Sequence, residues 1–464
     1  MSAEQPTTRL QRIAPNYNYE LEEAKGKLNS ETMNSPKGDL SLYNWKPMNW
    51  SAAQMKLARS TLPVLVLLRE MLFWSLQICA QDWSPTSAPV AGWQAIASSA
   101  DGARLVAATW GGSVYTSTNS GSTWNGAGLS NADWSSVASS ADGSKLVAAN
   151  WGGRVYVSTN SGADWEAASL PVAPWNSVAT SADGVKLVAV AYDGLSGNLS
   201  GMIYSSTNSG TDWTSSPSGP VLSVVCSGDG RTMVTAGCGN YTASRISMIH
   251  LSTNFGATWL MTNAPTGGAI SIARSTDCSR LLLAASCQLY TSTNLGASWT
   301  LLLANGPCWS SAASSSDGTR LIAAASHSYL DGNYTGGPIF RSTNSGTTWV
   351  PADAPTTNWT AVSSSADGGR FVAGVGGASG SGLIYTSQSA QSPTLSLARF
   401  GNNLVISWIV PSVNFVLQEN SDMSTANWTG VATSPALNFT NLQYEVTVAG
   451  TNASRFYRLK GSQD

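Results

Sequence analysis

Three segments hold most of the side chains that could do chemistry. They are Tyr192–Gly201, Gly239–Ser247 and His327–Gly337, set in a chain otherwise rich in Ser, Thr, Ala and Gly. Aromatic rings beside Asn and Asp suit a carbohydrate or peptide surface, because flat apolar area and directed hydrogen bonds act together there. The candidate ligand-binding residues are Trp110, Trp151, Tyr192, Tyr241, Arg245, His327, Tyr329, Asp331 and Tyr334. The alternative is that these are ordinary polar loops whose aromatic rings fold back onto the protein.

A pair of carboxylates is the least that hydrolysis of a glycosidic bond requires. Asp193 and Asp331 lie in two of the three segments and are the candidate pair, so a glycoside hydrolase stays an alternative to a binding protein. His250 and His327 are the only histidines, and no group of His, Cys and acidic residues has metal-ligand spacing. The sequence therefore predicts neither a metal site nor a cofactor.

The elements that position these residues come from a repeated phrase, Ser-Thr-Asn-x-Gly-x-x-Trp. Its six clear copies carry the asparagines Asn119, Asn160, Asn208, Asn254, Asn294 and Asn344, and an eroded seventh copy reads Thr386-Ser387-Gln388-Ser389. A strand-rich unit that recurs every ~40–50 residues is typical of a propeller blade. The seven units predict an all-β protein, with a seven-bladed β-propeller of four-stranded blades over residues 81–391.

One unit, Trp134 to Trp165, shows the expected roles. Asp142-Gly143 predicts a two-residue type I′ hairpin turn, with positive φ at both residues. In the repeated phrase, Asn160 can accept backbone N–H bonds within its turn, and Gly162 can take a conformation that a side chain forbids. We expect Trp165 to pack between neighbouring blades.

Closure of the ring can also be predicted. The seventh unit supplies three strands, because nothing after Gln388 supplies the tryptophan that ends the repeated phrase, whereas Asp82-Trp83-Ser84 before the first unit has the wording of a fourth strand. We expect Asp82–Ser84 to complete the last blade, which removes exposed strand edges. The alternative is an open arc of six and a half blades.

These phrases resemble the Asp-box (BNR) repeat of sialidases and sortilin-type receptors, with asparagine in place of the aspartate. In that family the motif is structural and lies on the face opposite the ligand site, so the resemblance implies a fold and no activity. A sialidase-like mechanism also needs a glutamate partner for a tyrosine nucleophile. Between Asp82 and Gln391 the only glutamate is Glu166, expected in an outer strand, which argues against a sialidase.

The N-terminal region differs in composition. Residues 1–54 are polar and without an apolar period, which predicts disorder. Residues 55–80 have a basic start, an apolar middle and a small residue, Ala80, at the end, as in a signal peptide. Arg69 and Glu70 interrupt the apolar part, so a membrane anchor or an amphipathic helix against the propeller are alternatives. We expect a secreted or cell-surface protein, with membrane contact only if this segment is uncleaved.

Charge and cysteine content limit the partners and the redox chemistry. The net charge is −2 and 11% of residues are charged, which gives no reason to expect nucleic-acid binding. The repeat places Cys287 at the end of a second strand and Cys308 at the start of the next blade, which makes them the candidate disulfide. Separately buried thiols are the alternative. We expect a monomer that binds a carbohydrate or protein ligand.

A different pattern follows the repeats in residues 392–464. Alternating runs at Thr394–Ala398, Asn403–Trp408, Phe415–Gln418, Tyr444–Val448 and Arg455–Leu459 predict a small antiparallel β domain. The Val-Leu-Gln run and the closing Phe-Tyr-Arg-Leu resemble a sandwich-like C-terminal module of secreted proteins of the Verrucomicrobia and Planctomycetes type. Such a module implies attachment or sorting. The whole sequence thus predicts a non-catalytic propeller that binds its ligand through a loop face.

Overall fold

Seven four-stranded antiparallel sheets follow one another along the described part of the chain and form the blades of a propeller. The computed structural model describes residues 83–192, 201–239, 246–262, 264–265, 267–304, 306–327, 336–376, 382–388, 394–410, 415–422, 427–449 and 455–461. The predictions for residues 1–80 and for Asp193, Tyr241, Arg245, Tyr329, Asp331 and Tyr334 lie outside these residues. No helix in the described ranges is long and apolar enough to span a membrane.

Each blade runs outward from its first strand, and the first strands of neighbouring blades contact each other around a central channel. Blades 1 to 4 consist of Trp93–Ser98, Leu105–Thr109, Val114–Ser117 and Asn125–Gly126; Trp134–Ser139, Leu146–Asn150, Val155–Ser158 and Glu166–Ala167; Trp175–Thr180, Leu187–Tyr192, Gly201–Ser206 and Thr214–Ser218; and Ser223–Cys226, Met233–Gly239, Ile246–Ser252 and Leu260–Thr262. Blades 5 to 7 consist of Ala269–Arg274, Leu281–Ala285, Gln288–Ser292 and Thr300–Leu303; Cys308–Ser314, Leu321–His327, Ile339–Ser342 and Val350–Pro351; and Trp359–Ser364, Arg370–Val375, Ile384–Gln388 and Trp83–Pro85.

The last blade is closed by the first described strand, as predicted. Trp83–Pro85 pairs antiparallel with Ile384–Gln388, with Trp83 opposite Ser387. On the inner side, the Thr360 hydroxyl donates to the Trp93 carbonyl at 2.6 Å and joins blade 7 to blade 1. The open arc is therefore wrong, and the propeller has seven blades in the described residues.

A ring of backbone hydrogen bonds runs around one end of the channel. The turn between the first and second strands of each blade contains an aspartate, and we call it the Asp turn. In each blade, the residue just before this aspartate donates its N–H to the carbonyl of the equivalent residue in the next blade, at 2.7 or 2.8 Å. The seven residues are Ala100, Ala141, Ala182, Gly228, Thr276, Ser316 and Ala366. Since Ala366 donates back to Ala100, the circle is complete, and each blade is held in register by its neighbours.

The repeated phrase forms the same turn in all six copies. In blade 2, the Asn160 Oδ1 accepts from the Asp164 N–H at 2.9 Å, and the buried Ser158 hydroxyl accepts from the Gly162 N–H at 2.9 Å. Gly162 has a φ of 86°, which favours glycine. These roles of Asn160 and Gly162 are as predicted. We call this feature the Ser-Thr-Asn turn.

The type I′ turn predicted at Asp142-Gly143 is wrong. Gly143 has a φ of 69°, but Asp142 is not among the positive-φ residues. The Gly143 N–H donates to the Ser140 carbonyl at 3.0 Å, so the turn starts at Ser140 and is longer than two residues. The reason is that the Asp142 carboxylate accepts from the Ser140 hydroxyl and the Ser144 N–H, at 2.7 and 2.9 Å, which stabilises this wider turn.

Apolar clusters lie between neighbouring blades. Trp134 is 1% exposed and packs in one cluster with residues of blade 1, such as Val106, and of blade 2, such as Leu146. Trp165 of the Ser-Thr-Asn turn packs against the same cluster, as expected. A buried tryptophan also stands at or next to the start of the first strand in blades 1, 3, 6 and 7, so large aromatic side chains fill most of the spaces between blades.

Residues after 393 form two small antiparallel sheets with a shared core. One sheet contains Ser396–Phe400, Asn403–Ile409, Ala436–Asn438 and Gln443–Ala449, and the other contains Phe415–Asn420, Thr429–Gly430 and Phe456–Gly461. Ile406, Trp408, Leu417 and Val446 form the core between the two sheets. The predicted β module is present, and we call it the tail.

Candidate functional site

The propeller has two unlike ends. The hairpin end carries the Asp turns, the Ser-Thr-Asn turns and the backbone ring, and the tail packs on it. Val410 of the tail is 2% exposed and lies against Ala100, Ala141, Ala182 and Ala366 of the ring. At Gly228 of the same ring an added Cβ would lie 2.8 Å from the Phe439 carbonyl oxygen. The tail is therefore fitted to the backbone of this end, and it covers the mouth of the channel there.

The loop end is the opposite one, where each second strand leads into the third and each blade leads into the next. Short bridges recur there, such as Gly112 with Ala132 and Gly153 with Ala173. They tie the loop of one blade to the connection that enters the next blade. Through them, sequence positions that are far apart meet at the seam between two blades.

Three adjacent blades place an aromatic residue at the same position of the loop end. The N–H groups of Trp110, Trp151 and Tyr192 donate to the carbonyls of Gly92, Asp133 and Pro174, each just before the first strand of its own blade, at 3.1, 2.7 and 3.1 Å. Their side chains differ in exposure. Trp110 is 50% exposed and Trp151 is half-buried, whereas Tyr192 is 3% exposed and offers no surface to a ligand.

Two charged residues accompany the two accessible tryptophans. Asp133 Oδ1 lies 3.9 Å from the position of a Cβ built on Gly111, so its carboxylate is beside the Trp110 loop. Arg154, exposed, follows the Trp151 loop, whose Asn150 amide oxygen accepts from the Arg154 N–H at 3.1 Å. In the described ranges neither the Asp133 carboxylate nor the Arg154 guanidinium has an ion-pair or hydrogen-bond partner. We call Trp110, Asp133, Trp151 and Arg154 the rim site.

The rim site combines two flat apolar surfaces, one free anion and one free cation. Such a set can stack on a ring, accept from hydroxyl or amide groups and donate to an acceptor. The two tryptophans were predicted from the sequence as ligand-binding residues, whereas Asp133 and Arg154 were not. The signal that could have found them is their place in the repeat, since Asp133 precedes a first strand and Arg154 precedes a third strand.

The other predicted residues are placed as follows. His327 ends the strand Leu321–His327, and its backbone pairs with Cys308. His250 is 7% exposed, its Nδ1 lies 3.3 Å from the Thr235 hydroxyl, and burial lowers its pKa, as suits a structural histidine. Cys287 and Cys308 come together, with their sulfurs 3.3 Å apart. In the described ranges no group of three His, Cys, Asp or Glu side chains is placed to hold a metal ion.

The aspartate carboxylates of the Asp turns accept hydrogen bonds from other residues of the same turn. At Asp317, burial raises the pKa, but hydrogen bonds from Ser315 and Thr319 outweigh it and hold the pKa below the ordinary 3.8. The Ser315 hydroxyl donates to the Asp317 carboxylate at 2.6 Å. A carboxylate that is stabilised in its ionised form by its own turn is a poor general acid. These acids therefore have a structural role.

The channel holds a cavity of about 350 Å³ whose floor includes Leu442 of the tail. Hydroxyl side chains at one level of its wall each donate to the carbonyl of the following residue, at 2.8–3.1 Å. They are Ser98, Ser139, Thr180, Ser314 and Ser364. At the equivalent position of blade 5 stands Arg274, the one charged side chain among the described residues that line the cavity.

This arrangement of blades, ring and closing strand defines a seven-bladed β-propeller with a docked C-terminal module. Among solved structures it is similar to YCF48 bound to D1 peptide, with a TM-score of 0.50 at 16% identity over 68% of this chain and 97% of that chain. YCF48 from Cyanidioschyzon merolae matches with a TM-score of 0.49 and 16% identity over 66% of this chain and 98% of that one. A GH74 xyloglucanase from Xanthomonas campestris matches with a TM-score of 0.49 and 14% identity over 71% of this chain and 59% of that one.

The sequence itself matches no protein-family model and no curated protein. At these identities the structural likeness concerns the fold alone.

Proposed function

We propose that this protein is a secreted or cell-surface binding protein that takes a glycan or protein ligand at the loop end of its propeller. The observation that carries the proposal is the tail, which packs on the hairpin end through Val410. A ligand can then approach the channel and its surroundings from the loop end. The rim site lies at that end and presents free groups of the kinds that recognition uses.

The composition of the rim site supports a ligand with both flat and polar parts. Tryptophan is enriched among residues that dominate binding energy, and unpaired charges at its sides can set the orientation of the ligand. A glycan offers ring faces and hydroxyl groups, and a peptide offers side chains and amides. The YCF48 structure with D1 peptide is an instance of a related fold with a peptide ligand.

The test is a binding screen of the full-length protein on a glycan array and a peptide library. For a ligand found there, Trp110→Ala and Trp151→Ala should each weaken binding about tenfold, which is ~1.4 kcal/mol. Phe400→Ala is the matched control, because Phe400 is 79% exposed but belongs to the tail. Unchanged affinity in both tryptophan variants would remove the rim site from the proposal.

The alternative is a glycoside hydrolase on the same propeller fold that uses Asp193 and Asp331. Both residues lie outside the described ranges. Its test is turnover on a panel of polysaccharides. Activity that Asp193→Asn and Asp331→Asn both abolish would replace the binding function by a catalytic one. Turnover that either substitution leaves unchanged would end this alternative.

A further inference from the structure

The cavity in the channel has a floor formed by the tail and, among the described residues that line it, one charged side chain. Leu442 of the tail lines the cavity at the hairpin end, so the tail closes the channel there, and we call this cavity the cup. We expect a ligand to enter the cup from the loop end. Five blades put a serine or threonine side chain at the level of Ser98, whereas blade 5 puts Arg274 there. A positive charge inside a narrow cup attracts anions, since low-dielectric walls focus its field.

Arg274 has most of its hydrogen-bond donors unused. Its one hydrogen bond in the described structure runs from Nη1 to the neighbouring Ser275 carbonyl at 3.2 Å, and it forms no ion pair there. A guanidinium has five N–H donors and matches a carboxylate in two-pronged geometry. The remaining donors of Arg274 are therefore available to a ligand in the cup.

The wall offers the complementary half of the recognition. The hydroxyl protons of Ser98, Ser139 and Thr180 are donated to backbone carbonyls, which leaves their oxygen lone pairs as acceptors. Acceptors around one cationic donor suit a small molecule with one carboxylate and several hydroxyl groups. The cavity volume of about 350 Å³ is within the range of small-ligand pockets.

We propose that the cup binds a sugar acid, with its carboxylate on Arg274 and its hydroxyl groups donating to the serine and threonine oxygens. The inference rests on the proposed function for entry at the loop end and deepens it by naming a ligand class. The same chemistry is available from a free sugar acid and from an acidic sugar at the end of a glycan.

The experiment is calorimetric titration of the full-length protein with glucuronate, glucose and a glucuronate-terminated oligosaccharide. We expect binding of glucuronate at least tenfold tighter than of glucose, and loss of that preference in Arg274→Gln. Arg399→Gln is the matched control, because Arg399 is exposed on the tail and has no partner in the described residues. Binding of the oligosaccharide but not of glucuronate assigns the cup to a glycan end.

Equal affinity for glucose and glucuronate, no binding of either acid, or an unchanged preference in Arg274→Gln would overturn the proposal. Failure here is distinct from failure of the rim site. A glycan or peptide whose binding depends on Trp110 and not on Arg274 would leave the proposed function standing without the cup.

A second inference comes from the two cysteines that the fold brings together. Cys287 lies in the tight turn between Leu281–Ala285 and Gln288–Ser292, and Cys308 begins the first strand of blade 6. The Gly306 N–H donates to the Cys287 carbonyl at 2.9 Å, and the Trp309 N–H donates to the Ser286 carbonyl at 3.0 Å. These bonds hold the two segments together independently of the sulfurs.

We infer that Cys287 and Cys308 form a disulfide when the protein meets a disulfide oxidant. Their sulfurs are 3.3 Å apart, so a small side-chain rotation brings them to bonding distance. The oxidant is an incoming disulfide, such as oxidised glutathione. One cysteine thiolate attacks it and releases a thiol, and the second cysteine displaces the other thiol, so one disulfide is exchanged for another and two thiols leave.

Cys226 and Cys278 serve as an internal control. Both are buried, and burial raises the pKa of Cys278 to about 12 and raises that of Cys226 as well. Because the thiolate is the reactive form, these two should stay as thiols under the same conditions.

The full-length protein is equilibrated with glutathione buffers of increasing oxidised fraction, alkylated, and mapped by mass spectrometry. We expect a cross-linked Cys287–Cys308 peptide, and a rise of the melting temperature on oxidation that Cys308→Ser does not show. Alkylation of both Cys287 and Cys308 after treatment with oxidised glutathione, or a cross-link between other cysteines, would overturn the inference.

Discussion

Removing the hydroxyl group of Ser158 should destabilise the propeller. Ser158 is 1% exposed, and its Oγ accepts from the buried Gly162 N–H at 2.9 Å and donates to the Asn160 Oδ1 at 3.0 Å. In Ser158→Ala the Gly162 N–H is left buried without a partner, and a buried unsatisfied group costs ~1–3 kcal/mol. We expect a loss of ~2 kcal/mol in the free energy of unfolding, which for a propeller of this size is a fall of about 3 °C in the melting temperature.

Blade 7 supplies a matched control for this effect. Ser387 occupies the equivalent position and is 2% exposed, but its Oγ has no hydrogen-bond partner in the described structure, and the sequence has Ser389 where the six clear copies have asparagine. Ser387→Ala should leave the melting temperature unchanged or raise it, since it removes an unsatisfied buried hydroxyl. The assay is thermal unfolding followed by circular dichroism and calorimetry. Equal melting temperatures for Ser158→Ala and Ser387→Ala would refute the role assigned to this hydrogen bond.

Three further outcomes are expected. Val410→Asp places a charge against the alanines of the ring and should release the tail to limited proteolysis, whereas Val416→Asp, at a side chain 51% exposed, should not; equal cleavage would contradict the docking. Asp317→Asn should lower stability at pH 7 by ~1 kcal/mol. The folded-state pKa of Asp317 is depressed, so the stability that its carboxylate contributes is present above the ordinary pKa of 3.8 and is lost as the pH falls through the folded-state pKa. The difference in free energy of unfolding between variant and parent should therefore shrink below pH 3.8. A constant difference in urea unfolding would refute the assignment. Trp83→Ala removes a ring 6.1 Å from that of Trp359 and should speed amide exchange in blade 7 more than in blade 3; uniform exchange would argue against closure by this strand.

Much of the fold could be predicted because its signals are local and repeated. Asn160 and Gly162 have the roles in their turn that their residue types predict. The tryptophan of Trp83–Pro85 indicated the closing strand. The Asp-Gly turn was mispredicted because a dipeptide does not report which residue starts the turn. The buried Ser140 carbonyl and the Asp142 carboxylate decide that, and they act over five residues.

The candidate site was less predictable. Trp110, Trp151 and Tyr192 are equivalent in sequence, yet their exposure differs because the surroundings of each loop differ. Asp133 belongs to the site because the start of blade 2 meets the loop of blade 1, a contact that spans two units. The sequence around Arg274 did not indicate a site. An arginine at the end of a strand can be given a role in binding only when the other residues that line the same cavity are known.

The amino-acid sequence alone determined the number of blades, the order of strands, the closing strand and the small β domain after it. These follow from short-range preferences that each unit repeats. Only the tertiary structure decided that the tail covers the hairpin end, that Arg274 lines the cavity in the channel, and that Asp133 lies beside the Trp110 loop. Those facts depend on burial and distance between residues far apart in the chain, and such contacts are set by packing of whole blades, which no local pattern encodes.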